Sequence, residues 1–165
     1  MTNKATGPQI LVLNGPNLNL LGTREPAIYG RATLAEIAKT TKARASQLGF
    51  GVDFRQSNSE SELVSWVQEA RTGFVGVIVN AGAYTHTSIA ILDALAALEV
   101  PVVEVHLSNI FRREAFRHHS FVSQAATGIV AGLGPKGYEL AVEAIAHLAR
   151  LSRPRRSARR KKTTR

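Results

Sequence analysis

Two short runs, Ile10–Leu13 and Phe74–Val79, are apolar at every position and rich in β-branched residues, and they constrain the fold of this chain more than any other feature. A strand without polar alternation must be covered on both faces, which is the situation inside a parallel sheet flanked by helices. The first strand is read as Gln9–Leu13 and the third as Phe74–Val79. Gly51–Ser57, with Val52 and Phe54 alternating with polar neighbours, predicts a second strand nearer an edge. Val100–Val105 predicts a fourth, with Pro101 tolerated at its start, and Gly128–Leu133 a fifth.

The intervening segments supply helices. Thr33 can cap one carrying Leu34, Ile37, Ala38 and Leu48 on one side, with Gly49 to end it. Ser59-Glu60-Ser61-Glu62 reads as a capping box before Leu63, Trp66, Val67 and Ala70 at helical spacing. Thr87 or Ser88 starts a helix from Ile89 to Leu98, and a short charged helical piece is expected around Arg112–Arg117. Gly134 and Pro135 introduce a final amphipathic helix through Tyr138, Leu140, Val142, Ile145 and Leu148. Five βα units predict an α/β fold, a doubly wound five-stranded parallel sheet, for which the flavodoxin-like order 2-1-3-4-5 is the commoner choice.

Ligands of such sheets bind outside the carboxyl ends of the strands, where the order reverses between strands 1 and 3. The unusual polar residues fall at those ends: Asn14 to Tyr29 after strand 1, Asn80 and His86 after strand 3, His106 and Ser108 after strand 4. The first of these segments, NGPNLNLLGTREPAIYG (Asn14 to Gly30), is long for a connection in a compact domain, and its two Pro and three Gly oppose a helix. Leu18, Leu20, Leu21 and Ile28 offer apolar anchors, which favours a lid or binding loop over a disordered segment.

Charge divides the chain. Residues 1–149 hold 12 Lys and Arg against 12 Asp and Glu, whereas residues 150–165 hold nine Lys and Arg and no acid, so the whole net charge of +9 sits in the C-terminal stretch. We expect one folded domain over 1–150 and a basic, disordered tail over 151–165 that is either a solvated terminus or a salt-sensitive, non-specific attractor of nucleic acid and other polyanions. The absence of Cys removes disulfides, thiolate nucleophiles and Cys-based zinc sites, and makes a reducing cytoplasm the simplest compartment. The longest apolar run is too short to span a membrane.

Among chemistries for the mouth, a metal site lacks HxH or HExxH spacing, and the adjacent His118 and His119 would point to different sides. His147 reads as a solvated helix face. A phosphate cradle lacks both the Gly-Lys-Ser/Thr and the GxGxxG pattern, and Pro16 and Pro26 remove two donors. Proton chemistry on an anionic small molecule remains. A phenol of reference pKa about 10 becomes a base near neutrality at a preference of about 4 kcal/mol for the phenolate. One Arg at about 4 Å supplies that order at an effective dielectric of about 20. Arg24 lies five residues before Tyr29, and Arg31 or Arg117 could add to it.

The segments NGPNLNLLGTREPAIYG, RQSNSESELVSWV, VNAGAYTHTSIAILDAL, VEVHLSNIFRREAFRHHS and TGIVAGLGPKGYELA, in this order and spacing from about Ile10 to Leu148, resemble type II 3-dehydroquinate dehydratase. The resemblance implies a flavodoxin-like fold and a homo-oligomer, a dodecamer built as a tetramer of trimers. It also implies anti elimination of water from 3-dehydroquinate, giving 3-dehydroshikimate without metal or organic cofactor. Carried over by motif, Tyr29 is the base, Arg24 stabilises its phenolate, Asn17 serves the enolate oxygen, and His106 is the general acid with Glu104 to orient it. Asn80, His86, Leu107, Ser108 and Arg117 are implied substrate contacts, and Asp93 resembles a residue that reaches a neighbouring subunit's site. The alternative Schiff-base route needs a lysine, but before the tail there are only Lys4, Lys39, Lys42 and Lys136, none ending a central strand. The chain departs from the pattern at Phe111-Arg112, where His-Ala is frequent, at Ala115, where an acid is common, and in its basic tail. The competing reading is a flavodoxin-like binding module that docks on polyanions through that tail.

Overall fold

The computed structural model describes residues 7–23 and 30–151. Arg24, Ile28 and Tyr29 of the long loop, and the tail from residue 152, lie outside the described residues.

Five strands, β1 (Gln9–Asn14), β2 (Gly51–Gln56), β3 (Phe74–Asn80), β4 (Val102–His106) and β5 (Gly128–Ala131), form one sheet in the order β2-β1-β3-β4-β5. Every pairing is parallel. The helices are α1 (Leu34–Gln47), α2 (Glu60–Glu69), α3 (Ile89–Ala96) and α4 (Lys136–Leu151). The apolar runs of the central strands are divided by the period-two alternation of side chains. Ile10, Val12, Ile78, Val103 and Val105 pack with Ile37 of α1 and with Tyr138, Val142 and Ile145 of α4. Leu11, Leu13, Val77, Val79 and Val102 pack on the other face with Leu63 and Val67 of α2 and Ile91 and Leu95 of α3. Each fully buried aliphatic contributes about 1.5–3 kcal/mol, so both faces must be covered for the sheet to persist.

β2 is an edge strand, as its alternation predicts, and none of its residues is fully buried. The capping arithmetic differs from expectation. Thr33 and Glu36 make the complete reciprocal box at the start of α1. At α2, Ser59 Oγ does accept from the Glu62 amide, but the Ser59 amide donates to Ser57 Oγ, and Ser57 Oγ in turn donates to the Glu62 carboxylate. Ser57, buried beside the end of β2, thus intercepts half of the expected box. Helix α3 stops at Ala96, short of the Leu98 expected. β5 ends at Ala131 because its ladder runs out opposite His106. The single charged helix expected over 112–117 is two 3-10 turns, Ile110–Arg112 and Ala115–Arg117, separated by extended Arg113 and Glu114. Only Ile110 of that segment is buried, which is too little apolar anchorage to offset helix nucleation.

Candidate active site

Strands β1, β3 and β4 end side by side in Asn14, Asn80 and His106, with Asn14 registered opposite Asn80. Their carboxyl ends close the floor of one cleft. Asn17, Leu18, Asn80, His86, His106, Leu107, Ser108, Arg113 and Arg117 line it.

The floor is tied together from below. Tyr138, in the first turn of α4 and wholly buried, donates its hydroxyl to Asn14 Oδ1 at 2.6 Å and accepts from Asn80 Nδ2 at 2.9 Å. Burial pushes the phenol's pKa well up, so it stays neutral and remains a donor. Asn80 Oδ1 takes the Gly82 amide, and Asn14 Nδ2 reaches the Arg55 carbonyl, so both amides are fixed in orientation. The loop leaves this floor at Gly15, whose amide bonds the Asn80 carbonyl at 2.8 Å. A Cβ on Gly15 would stand 2.2 Å from the Ala81 carbonyl oxygen, so only glycine allows the loop to cross so close to β3. Asn17 follows with φ 67°, the only positive φ at a non-glycine residue among those described. Its amide is held by Asn58 Oδ1 at 3.0 Å, and no side-chain cap bond occupies its carboxamide. Leu18 and Leu21 anchor the loop as expected, but Leu20 is exposed because the 3-10 turn Leu18–Leu20 faces it outward.

The wall carries the titratable groups. Glu104, without any exposed surface, accepts from His106 Nε2 at 2.7 Å. Burial pushes its carboxyl up, but the hydrogen bond from His106, those from Ser123 and Ser120 and the attraction of His106 outweigh it and hold the group at about 2. Use of Nε2 by the carboxylate leaves Nδ1 as the His106 nitrogen available to a ligand. His86 stacks on His106, ring centroids 6.4 Å apart, and donates Nδ1–H to the His119 carbonyl at 2.7 Å. Burial lowers the His86 pKa, and the charges of His106 and Arg117 lower it further against the opposing carbonyl bond and Glu104. A neutral His86 with its Nδ1 proton committed presents Nε2 as an acceptor for a hydroxyl. Arg117 and Arg113 add positive charge to the same cleft, each also paired with exposed Glu114.

This constellation has counterparts. The model of the family Dehydroquinase class II matches residues 8–146. The chain is 58% identical over 145 residues to 3-dehydroquinate dehydratase of Methylobacterium radiotolerans, covering 88% of this chain and 97% of that one. It is 60% identical over 134 residues to 3-dehydroquinate dehydratase 2 of Pseudomonas aeruginosa, covering 81% and 90%. The chain belongs to the class II dehydroquinases. The crystal structure of type II dehydroquinase from Propionibacterium acnes has the same fold, with a TM-score of 0.82 at 50% identity over 84% of this chain and 96% of that one.

Within this dehydroquinase fold the residues singled out by sequence divide into three groups. Asn17, Asn80, His86, His106, Leu107, Ser108 and Arg117 line one cleft, and Glu104 lies directly beneath His106. Asp93 does not line it, since it stands exposed on α3. Arg24 and Tyr29 lie outside the described residues. Sequence reading assigned no role to Tyr138, Arg113 or the hydroxyls of Thr85, Ser120 and Ser123. Tyr138 gave one usable signal, a lone phenol on the buried stripe of an otherwise aliphatic helix, whose hydroxyl needs a polar partner. The hydroxyls gave none, because serine and threonine in a loop are as a rule solvated.

Proposed function

We propose that this cleft performs the anti elimination of water from 3-dehydroquinate to 3-dehydroshikimate, the shikimate-pathway step of aromatic amino acid biosynthesis. The observation that carries the reading is the Glu104–His106 pair, a buried ionised carboxylate holding one imidazole nitrogen so that the other faces a cationic cleft. Tyr29 as phenolate removes the C2 proton, supported by Arg24, and the electron pair passes to the C3 carbonyl oxygen as an enolate stabilised at Asn17. His106 then delivers a proton to the C1 hydroxyl as it leaves as water, and the enolate collapses to a conjugated enone. The protons balance, with one taken at C2 and one given at C1, and the step calls for neither metal nor organic cofactor.

His86 Nε2, Asn80, the Leu107–Ser108 segment and Arg117 hold the substrate's hydroxyls and carboxylate. Asp93 reaches the site of a neighbouring copy in a dodecamer of four trimers, and the protein works in the cytoplasm. No helix among the described residues is long and apolar enough to cross a membrane.

Mixing the purified protein with 3-dehydroquinate should produce the ultraviolet absorbance of the enone, and its absence at micromolar folded enzyme would overturn the reading. Tyr29→Phe should abolish turnover with the fold intact. His106→Gln should lose turnover while still binding substrate, as measured by calorimetry.

A further inference from the structure

Glu104 receives more hydrogen bonds than a carboxylate needs to orient one histidine. Thr85 Oγ1 and Ser120 Oγ each donate to Oε1 at 2.8 Å, beside the His106 bond, and Ser123 Oγ donates to Oε2. Thr85 belongs to the 3-10 turn Gly82–His86, and Ser123 to the turn Val122–Gln124 that follows Ser120. The Phe121 amide bonds the Thr85 carbonyl at 2.8 Å, and the Ser123 amide bonds Ser120 Oγ at 3.0 Å. The same loop supplies the His119 carbonyl that fixes the His86 tautomer. Two loops remote in sequence therefore grip one buried anion and both cleft histidines.

We infer that Thr85, Ser120 and Ser123 are positioning residues for the elimination: their hydroxyls hold the Glu104 carboxylate in the plane that keeps His106 aimed at the leaving hydroxyl. The physical reason is desolvation. A carboxylate with no exposed surface cannot draw stabilisation from water, so loss of a donor turns the group toward the donors that remain. That rotation spoils the His106 bond. The other titratable or charged groups around the pair are His86 from the Gly82–His86 turn, Arg113 and Arg117 on the cleft wall, and His119, whose ring packs edge-on against Phe121. His86 and Arg117 make their hydrogen bonds to the His119 carbonyl and to Glu114, away from the Glu104 carboxylate.

This inference rests on the reading of His106 as general acid, and the test separates the two. In the full-length protein, Thr85→Val and Ser123→Ala are compared with Thr85→Ser, which keeps the donor. The protonation of Glu104 is followed by carboxyl carbon NMR, and kcat and KM for 3-dehydroquinate are measured near neutral pH. Each lost hydroxyl should move the Glu104 titration up by about one pH unit and lower kcat by about tenfold, the scale of one hydrogen bond to a charged group. KM should change less than about twofold, because the substrate contacts are untouched. Thr85→Ser should restore both values. An unmoved titration and kcat, with only a lower melting temperature, would overturn the inference, and Ser123→Ala decides it if Thr85→Val does not fold. If the wild-type protein fails to turn over 3-dehydroquinate, the functional reading falls, and the carboxyl titration still decides whether the hydroxyls bond the Glu104 carboxylate.

Discussion

At the scale of single residues, the site depends on buried polar atoms that have no substitute for their partners. Tyr138→Phe keeps the aromatic packing but strips Asn14 Oδ1 of its donor and Asn80 Nδ2 of its acceptor. Leaving buried groups unpaired costs about 1–3 kcal/mol. The variant should be less stable by that amount in urea denaturation, and its KM should rise because the Asn80 amide has lost one of its two fixing contacts. Glu104 carries a pH dependence of definite sign. Its carboxyl is depressed from 4.5 to about 2, so the stability it contributes is complete above pH 4.5 and is lost as pH falls toward 2. The difference in Tm between wild type and Glu104→Gln should therefore shrink across that window, and a difference that stays constant would refute the assignment of an ionised Glu104.

At the scale of elements, the close approach of α4 to the sheet sets where Tyr138 arrives beneath the strand ends. Gly76 in β3 makes the approach possible, since a Cβ there would stand 2.7 Å from Ile145 Cγ2 and 2.8 Å from its Cδ1. Gly76→Ala should cost about 1–3 kcal/mol through overpacking. Ile145→Val should cost about 0.5–1.5 kcal/mol alone, and the double variant should be less destabilised than the sum, because the two changes share one contact. Strictly additive values from chemical denaturation would show that α4 is not held at this distance by Gly76. Strand identity and the edge position of β2 were legible in the sequence, because apolar continuity in β1 and β3 and alternation in β2 each follow from how many faces are covered, whereas the order 2-1-3-4-5 followed from the commoner arrangement of five such strands. The two turns at Ile110–Arg112 and Ala115–Arg117 were not, since charge-rich periodicity without apolar anchorage does not decide between a helix and separated turns.

For the whole molecule, the proposed assembly and the basic tail make separate claims. Large apolar side chains stand exposed at Ile89, Phe111, Phe116, Ile129 and Leu133, the kind of surface that contact between copies would cover. Light scattering should give about twelve times the 17.8 kDa chain mass, with Asp93→Asn lowering kcat while the assembly persists. Truncation after Leu151 removes eight Lys and Arg and takes the formal charge from +9 to +1. Turnover should be unchanged, and retention on a polyanionic resin should fall to lower salt. A loss of activity on truncation would give the tail a role in the fold or the site.

The sequence by itself determined the βα alternation, the edge position of β2, and the cluster of polar residues at the ends of β1, β3 and β4, because strand burial and helix capping are written in neighbouring residues. It also carried the family, whose motifs are contiguous. Only the tertiary structure decided that Tyr138 binds Asn14 and Asn80, and that Thr85, Ser120 and Ser123 converge on Glu104. Those bonds join atoms 16 to 124 residues apart, and a hydroxyl's value depends on being desolvated beside a charge, which no local pattern records. The opening at Asn14 to Gly30 is a proposed lid in sequence. In the structure its described part is a loop pinned at Gly15, Leu18 and Leu21 over a floor that other elements build.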